Sequence, residues 1–229
     1  MPQLLQKNSL LQQFYFSKSE MDKLLIISCL FSLCMMMIRL LVTGKVLFLF
    51  LPWNLFLAYI PYYISSRLQL RPDWIAHKGK FALLLLIWLL FLPNSFYILT
   101  DLFHLELREE SNRWFDLTLI FSFAWNGILL GILSVRQMER IFNLSVGIKN
   151  EFFFLYPVMW LNALGIYIGR YMRFNSWDVI TDPFQLIGEI SMMLIHPFRN
   201  FFAWGMIGCF SVLMTIVYIS LKRIGKAMP

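Results

Sequence analysis

Long apolar runs separated by short polar segments dominate the chain. Each run approaches the roughly 20 residues that an α-helix needs to cross a bilayer. The runs cover residues 24–42, 46–65, 81–99, 115–135, 152–171 and 201–221. The pattern therefore predicts an all-α, polytopic membrane protein, in which residues 24–229 form a single domain of six transmembrane helices. Pro52, Pro61 and Pro93 predict kinks in the second and third helices.

Two further segments are partly apolar but too short or too mixed to be spans. Residues 1–23 lack the pattern of a signal peptide. Their apolar positions predict a cytoplasmic amphipathic helix on the membrane surface or, equally, a partly ordered tail. Residues 183–197 are apolar between two prolines but are interrupted by Glu189. This second segment predicts a short interfacial or re-entrant helix in the loop between the fifth and sixth spans.

The distribution of basic residues predicts the orientation of the chain. If the N-terminus is inside, 13 of the 20 Lys and Arg residues fall on the inner side and 7 on the outer side. Cytoplasmic loops of membrane proteins carry an excess of Lys and Arg. We therefore expect both termini to be cytoplasmic and the protein to be a multi-pass component of the cell membrane.

Composition excludes a soluble domain. The chain is 59% hydrophobic and only 14% charged, whereas soluble domains have about 25% charged residues. The net charge of +7 does not indicate a nucleic-acid partner, because the basic residues lie in the loops between spans. We expect membrane lipids as partners, and the sequence identifies no cofactor. Cys29, Cys34 and Cys209 lie in apolar runs without CxxC spacing, which predicts small buried hydrophobic side chains.

Small and amide residues inside the spans indicate how the helices pack. Gly127 and Gly131 form a GxxxG motif in the fourth span, and Gly165 and Gly169 form another in the fifth. Such motifs allow close backbone approach in a bilayer, so we expect close helix contacts within the chain. Amides lie in four different spans, where they favour hydrogen bonds between helices: Asn54, Asn94, Asn126 and Asn162.

Polar residues concentrate where the third and fifth spans reach the outer side. Charged groups at membrane depth are costly unless they pair or face a cavity. Asp101 and His104 are spaced to share one helix face, and Arg170 and Arg173 repeat that spacing. We therefore predict an outer polar site that draws on both regions. Its candidate residues are Asn94, Asp101, His104, Asp116, Arg170, Arg173, Asn175, Trp177 and Asp178.

Several kinds of chemistry fit this set. The arginines favour an anionic lipid headgroup or a small polar ligand, and a carboxylate beside an imidazole also suits acid–base chemistry. Asp101, His104 and Asp178 are weak candidates for a metal site. The alternatives are a small permease or transporter subunit, a metal-assisted or acid–base enzyme, and a scaffold. In the scaffold, pairs such as Asp101–Arg170 or Asp178–Arg173 would only fix helix register.

Three sequence blocks resemble a known family. They are LPNxxYxxxDLxHL at residues 92–105, WFD at 114–116 and GIYIGRYxRFNSWD at 165–178. Together they resemble the bacterial membrane proteins catalogued as domain of unknown function 1361, over a region from about the second span to the sixth. The resemblance implies a polytopic bacterial membrane protein and no particular reaction.

Overall fold

The computed structural model describes residues 2–44, 46, 48–107, 113–146, 151–174 and 176–227; of residues 2–19, 103–107, 146, 180 and 226 it describes the backbone only. Every regular element in these ranges is helical. The α-helices are α1 (Pro2–Thr43), α2 (Phe50–Leu70), α3 (Pro72–Ala76), α4 (Lys78–Tyr97), α5 (Arg113–Val146), α6 (Glu151–Tyr167), α7 (Asp178–Thr181), α8 (Pro183–Ile195) and α9 (Phe201–Ala227). A 3₁₀ segment (Ile98–Leu107) follows α4, and a π-helical turn (Ile168–Met172) follows α6.

Five helical stretches of the described chain are long and apolar enough to cross a membrane: Glu20–Thr43, Lys78–Leu102, Arg113–Ser145, Glu151–Met172 and Phe201–Gly225. This confirms the prediction of an all-α, multi-pass membrane protein. The predicted second span corresponds to α2, which is 21 residues long but is not one of the five. Asn54, Ser65 and Arg67 contribute to the lower hydropathy of α2.

Helix α4 lies at the centre of the packing. It contacts α2, α5 and α6, while α1 packs on α5 and α9 packs on α6. Trp88, Leu92 and Phe96 of α4 are buried in the larger hydrophobic core. A second core joins α1, α2 and α5 around residues such as Leu51 and Phe123. The polar end of α4 is therefore enclosed by helices from both halves of the chain.

Both GxxxG motifs pack against the last turns of α4, which confirms the predicted close helix contacts. A Cβ atom added to Gly127 would lie 2.6 Å from the carbonyl oxygen of Ser95, and one added to Gly131 would lie 2.7 Å from the Phe96 ring. A Cβ atom on Gly165 would collide with Pro93. Helices α5 and α6 therefore approach the same short stretch of α4.

Amide side chains join neighbouring helices, as the sequence predicts. The Asn126 Nδ2 of α5 donates to the Ser32 Oγ of α1 at 2.9 Å. The Asn162 Nδ2 of α6 contacts the Met214 Sδ of α9 at 3.2 Å. Both asparagines are fully buried. Interhelical amide bonds of this kind stabilise membrane proteins by about 0.6–2 kcal/mol each.

The prediction that the cysteines are buried is wrong for Cys34 and Cys209. All three thiols are free; Cys34 and Cys209 are exposed on the outside of the bundle, and Cys29 is half-buried. An apolar run predicts a membrane helix but not which face of that helix meets the core. In a bilayer a small, weakly polar thiol can face lipid at little cost.

The two shorter segments are both helical. Helix α8 has 13 residues, and the Asp182 side chain accepts a hydrogen bond from the Gln185 backbone N–H at 3.4 Å at its start. Leu186 and Met193 are buried, whereas Phe184 and Ile187 are exposed. At the other terminus, α1 continues without a break from Pro2 through the first candidate span. The placement of residues 1–23 on the membrane surface stays a prediction.

Candidate functional site

A buried carboxylate lies just beyond the end of α4. The helix tightens into the 3₁₀ segment after Tyr97, and the Thr100 Oγ1 donates to the Tyr97 carbonyl at 2.7 Å. Asp101 follows at once and is only 1% exposed. A charged carboxylate so deeply buried needs compensating donors. Its partners therefore define the site.

Asp101 is held by two other helical elements. Its Oδ1 accepts from the Arg170 Nη1 at 3.2 Å, and its Oδ2 accepts from the Asn54 Nδ2 at 3.2 Å. The Arg170 Nη2 also donates to the Thr100 carbonyl at 2.9 Å. The ion pair joins the 3₁₀ segment to the π-helical turn, and the amide ties both to α2. Two segments that are far apart in the sequence thus meet, as predicted.

The π-helical turn carries the guanidinium. Arg170 lies at its middle, and the turn ends at Arg173, whose φ of 61° is left-handed. Single π turns inside helices occur frequently at functional sites. The Arg170 Cζ also lies 5.7 Å from the centre of the Tyr97 ring. Gly169 keeps the turn close to that ring, because a Cβ there would be 3.3 Å from Tyr97.

The ion pair forms one end of a cavity of about 620 Å³. The polar lining residues are Asn54, Asn94, Asp101, Arg170 and Ser176. Most of the remaining wall is aliphatic and comes from α2, α4 and α6, and it includes Leu57, Leu86, Leu89, Leu90, Leu161, Leu164 and Ile168. The cavity is therefore amphipathic, with charge and amides at one place and hydrocarbon elsewhere.

The cavity opens toward the outside of the bundle. Trp53, Leu86, Leu161 and Val179 all line it and are exposed. Trp53, Leu86 and Leu161 belong to α2, α4 and α6, and Val179 belongs to α7. The opening therefore lies on the side of the bundle, between these helices.

The loop after the π-helical turn closes over part of the cavity. The Asn94 Nδ2 donates to the Ser176 Oγ at 3.0 Å, and the Ser176 Oγ donates to the Leu90 carbonyl at 3.3 Å. The Trp177 ring lies edge-on to the Trp53 ring, with centres 6.4 Å apart. These contacts fix the loop against α2 and α4.

Some of the residues predicted from the sequence meet at this cavity, and others lie elsewhere. Asn94, Asp101 and Arg170 line it, and Trp177 contacts a lining residue. Arg173 is exposed and does not line it.

Two predicted carboxylates also lie outside the lining. Asp178 accepts a hydrogen bond from the Thr181 Oγ1 at 3.1 Å within α7. Asp116 pairs with Arg39 of α1, with the Nε–Oδ1 distance at 2.6 Å and the Nη2–Oδ2 distance at 3.1 Å.

Two predicted site residues fall outside what the structure describes, namely Asn175 and the side chain of His104. The proposed pairing of His104 with Asp101 therefore stays a prediction, as does a metal site that includes His104. Among the described residues, no group of three or more His, Cys, Asp or Glu side chains is placed to hold a metal ion.

Sequence reasoning did not assign Asn54 or Ser176 to the site. Asn54 is an isolated amide in the second apolar run, and Ser176 lies between two residues that were singled out. The residue type of Asn54 pointed to a hydrogen bond between helices, because an amide in hydrocarbon needs a partner. Which partner it finds depends on the register between α2 and α4, which periodicity does not encode.

The sequence pattern also did not predict a second buried cluster of charged residues. It lies at the opposite end of the bundle, since Glu151 begins α6 whereas Arg170 follows its end. The Tyr218 hydroxyl donates to the Glu139 Oε2, and the Lys222 Nζ contacts both the Glu139 Oε1 and the Glu151 Oε2 at 2.6 Å. This cluster ties α9 to α5 and α6.

Comparison with known proteins identifies the family. No curated protein and no solved structure matches the chain. The model of one family matches residues 53–219, a region that runs from α2 through most of α9 and contains the whole lining of the cavity except Phe50. The chain therefore belongs to the family described as "Protein of unknown function (DUF1361)".

Proposed function

We propose that this protein binds an amphiphilic ligand in the cavity between α2, α4 and α6. The ligand's polar head would lie against Asp101, Arg170 and the nearby amides, and its apolar part along the leucine wall. The observation that carries the proposal is the cavity itself, in which a buried ion pair forms one end of an otherwise aliphatic space of about 620 Å³.

The charges favour a head group without net charge. Arg170 already contacts Asp101, so the pair is formally neutral. An anionic head would have to compete with the Asp101 carboxylate for the guanidinium, and Arg173 does not line the cavity to add a second positive charge. A zwitterionic or uncharged polar head can instead accept from Arg170 and Asn54 and donate to Asp101. The proposed head group therefore differs from the anionic lipid headgroup that the sequence favours, and it agrees with the alternative of a small polar ligand.

The side opening supports a ligand that comes from the bilayer. Leu86 and Leu161 are exposed at the cavity edge, so an acyl or similar apolar chain can leave the cavity between α4 and α6 without crossing water. We place the protein in the cytoplasmic membrane of a bacterium, with α2 as a sixth span and both termini inside. In that orientation, the cavity serves the outer leaflet.

Retention of ligand by purified protein tests the proposal. The wild type and the variants Arg170→Gln, Asp101→Asn and Arg173→Gln would be purified in mild detergent. Native mass spectrometry would then measure the molecules that stay bound. We expect the wild type and Arg173→Gln to retain a neutral or zwitterionic amphiphile, and the other two variants to lose it. Equal retention by all four proteins would refute the proposal, and a change in thermal stability alone would mean that the ion pair is structural.

A further inference from the structure

A second amphipathic groove lies between α1 and α2, on the face of α2 opposite the one that lines the first cavity. Its volume is about 640 Å³. Its walls are almost wholly apolar, with Ile26, Leu30 and Leu33 from α1 and Leu55 and Phe56 from α2. Leu130 of α5 forms the floor. The groove shares no lining residue with the cavity that contains Asp101 and Arg170.

The groove exists because the backbones of α1 and α2 both lie close to α5 but not to each other. Both contact α5 extensively, but their backbones make almost no contact with one another in the described chain. In a bilayer the space between two diverging apolar helices is filled by hydrocarbon, because water there would face only apolar side chains. Ile26, Leu30 and Phe56 are more than half exposed along the groove.

One end of the groove is polar and acidic. The Tyr62 hydroxyl donates to the Asp22 Oδ1 at 2.6 Å, which bridges α2 and α1, and Ser66 lies beside them in the lining. Among the described side chains Asp22 has no cationic partner: Lys23 pairs with Glu20 at 2.8 Å, and the Arg67 guanidinium lies over the Tyr63 ring. Within the part of the chain that the structure describes, Asp22 is therefore a half-buried carboxylate with one hydroxyl donor and no counter-charge.

We propose that this groove is a binding site for an amine-headed phospholipid. One acyl chain would lie between Leu30 and Phe56, and the ammonium group would contact the Asp22 carboxylate. The rings of Tyr59 and Tyr62, whose centres are 6.1 Å apart, add aromatic faces that attract a cation. Asp22 lies at the end of the bundle that is predicted to be cytoplasmic, so the lipid belongs to the inner leaflet.

Lipid titration followed by native mass spectrometry tests the site. Full-length protein stripped of lipid in detergent would be titrated with phosphatidylethanolamine and with phosphatidylglycerol of the same acyl chains. We expect the wild type to prefer the amine-headed lipid by about tenfold, as one charge-assisted hydrogen bond allows. Asp22→Asn would lose that preference. Tyr62→Phe keeps the carboxylate and would retain it. A similar loss in both variants would mean that the Asp22–Tyr62 bond is merely structural and would overturn the proposal.

A matched pair of substitutions tests the groove itself. Leu30 lines the groove, whereas Ile27 is similarly exposed on the same helix and does not line it. Leu30→Trp would fill the space and weaken binding of both lipids, and Ile27→Trp would leave binding unchanged. Thermal unfolding would confirm that both variants are folded. Equal binding by the two variants, or no preference in the wild type, would refute the site.

The same titration in an Arg170→Gln background separates this site from the first cavity. The preference for the amine-headed lipid would persist there, because Arg170 lines only the other cavity. Loss of the preference in that background would assign the lipid to the Asp101–Arg170 site and overturn the inference for the groove.

Discussion

Arg39 and Asp116 form a two-pronged ion pair that joins the end of α1 to the start of α5. The Nε–Oδ1 distance is 2.6 Å and the Nη2–Oδ2 distance is 3.1 Å, and both side chains are almost fully removed from the surface. The remaining guanidinium nitrogen, Nη1, is buried and has no hydrogen-bond partner among the described residues. The carboxylate therefore compensates the positive charge of a guanidinium that is mostly buried.

Removing that carboxylate will destabilise the fold without affecting the cavity. We expect Asp116→Ala to lower the free energy of unfolding by about 3 kcal/mol, because it leaves a buried guanidinium without its counter-charge. Thermal unfolding in detergent would measure the change. Glu20→Gln is the control, because the Glu20–Lys23 pair is exposed and such pairs contribute about 1 kcal/mol or less. A change in ligand retention on Asp116→Ala would instead connect this pair to the site.

Enlarging the glycines that contact α4 will also destabilise the protein. Gly165→Ala places a methyl group against Pro93, which cannot move aside as a flexible side chain can. We expect a loss of about 1–3 kcal/mol, typical of overpacking. Gly208→Ala is the matched control, since a Cβ there meets nothing within 4 Å. Greater thermal stability of Gly165→Ala than of Gly208→Ala would contradict the observed packing.

Narrowing the cavity mouth will block the ligand. Leu86 and Leu83 are equally exposed on α4, at 62% and 60%, but only Leu86 lines the cavity. We expect Leu86→Trp to reduce the amount of retained amphiphile several-fold and Leu83→Trp to leave it unchanged. Mass spectrometry of the two purified variants gives the comparison. Identical retention would show that the bound molecule lies elsewhere.

Removing the amide of α2 will weaken both the site and the fold. Asn54→Leu deprives the Asp101 Oδ2 of its donor, at a cost of about 1–3 kcal/mol to the buried carboxylate. We expect both ligand retention and thermal stability to fall. Asn126→Leu also removes a buried interhelical amide bond, but at a distance from the cavity lining. It should therefore lower stability alone, and a loss of ligand in that variant would show that retention only reports stability.

The cluster at the other end of the bundle gives a separate prediction. Glu139→Ala leaves the largely buried Lys222 with the exposed Glu151 as its remaining carboxylate partner in the described chain, and it removes the acceptor of the Tyr218 hydroxyl. We expect a loss of stability of about 3 kcal/mol. Arg223→Ala, on an exposed neighbour of Lys222, should change stability little. Chemical unfolding of both variants checks the difference, and similar midpoints would contradict it.

The contact between Asp101 and Arg170 could be predicted from the sequence because that prediction depends on only two observations. Each residue lies at the end of an apolar run, and both runs end on the same side if the spans alternate in direction. The close packing of the GxxxG motifs could be predicted for a similar reason, since small residues one turn apart admit a neighbouring backbone. Neither prediction depends on how a helix is rotated about its axis.

The other features depend on rotation and register, which an apolar pattern in a membrane helix does not encode. Asp116 faces Arg39 and not Asp101, although the three lie near the ends of spans that meet on one side. The cysteines illustrate the same limit, because a lipid-facing position and a core position are both apolar. In a soluble helix, the polar face would have distinguished them.

Through the glycine contacts, the last turns of α4 pack against two neighbouring helices at once. Residues 93–97 meet α5 through Gly127 and Gly131, and they meet α6 and its π turn through Gly165 and Gly169. Asp101 follows this stretch directly, and its guanidinium partner is carried by the second neighbour. If either helix tilted, the distance between the Asp101 carboxylate and the Arg170 guanidinium would change. The geometry of the bundle and the electrostatics of the cavity therefore vary together.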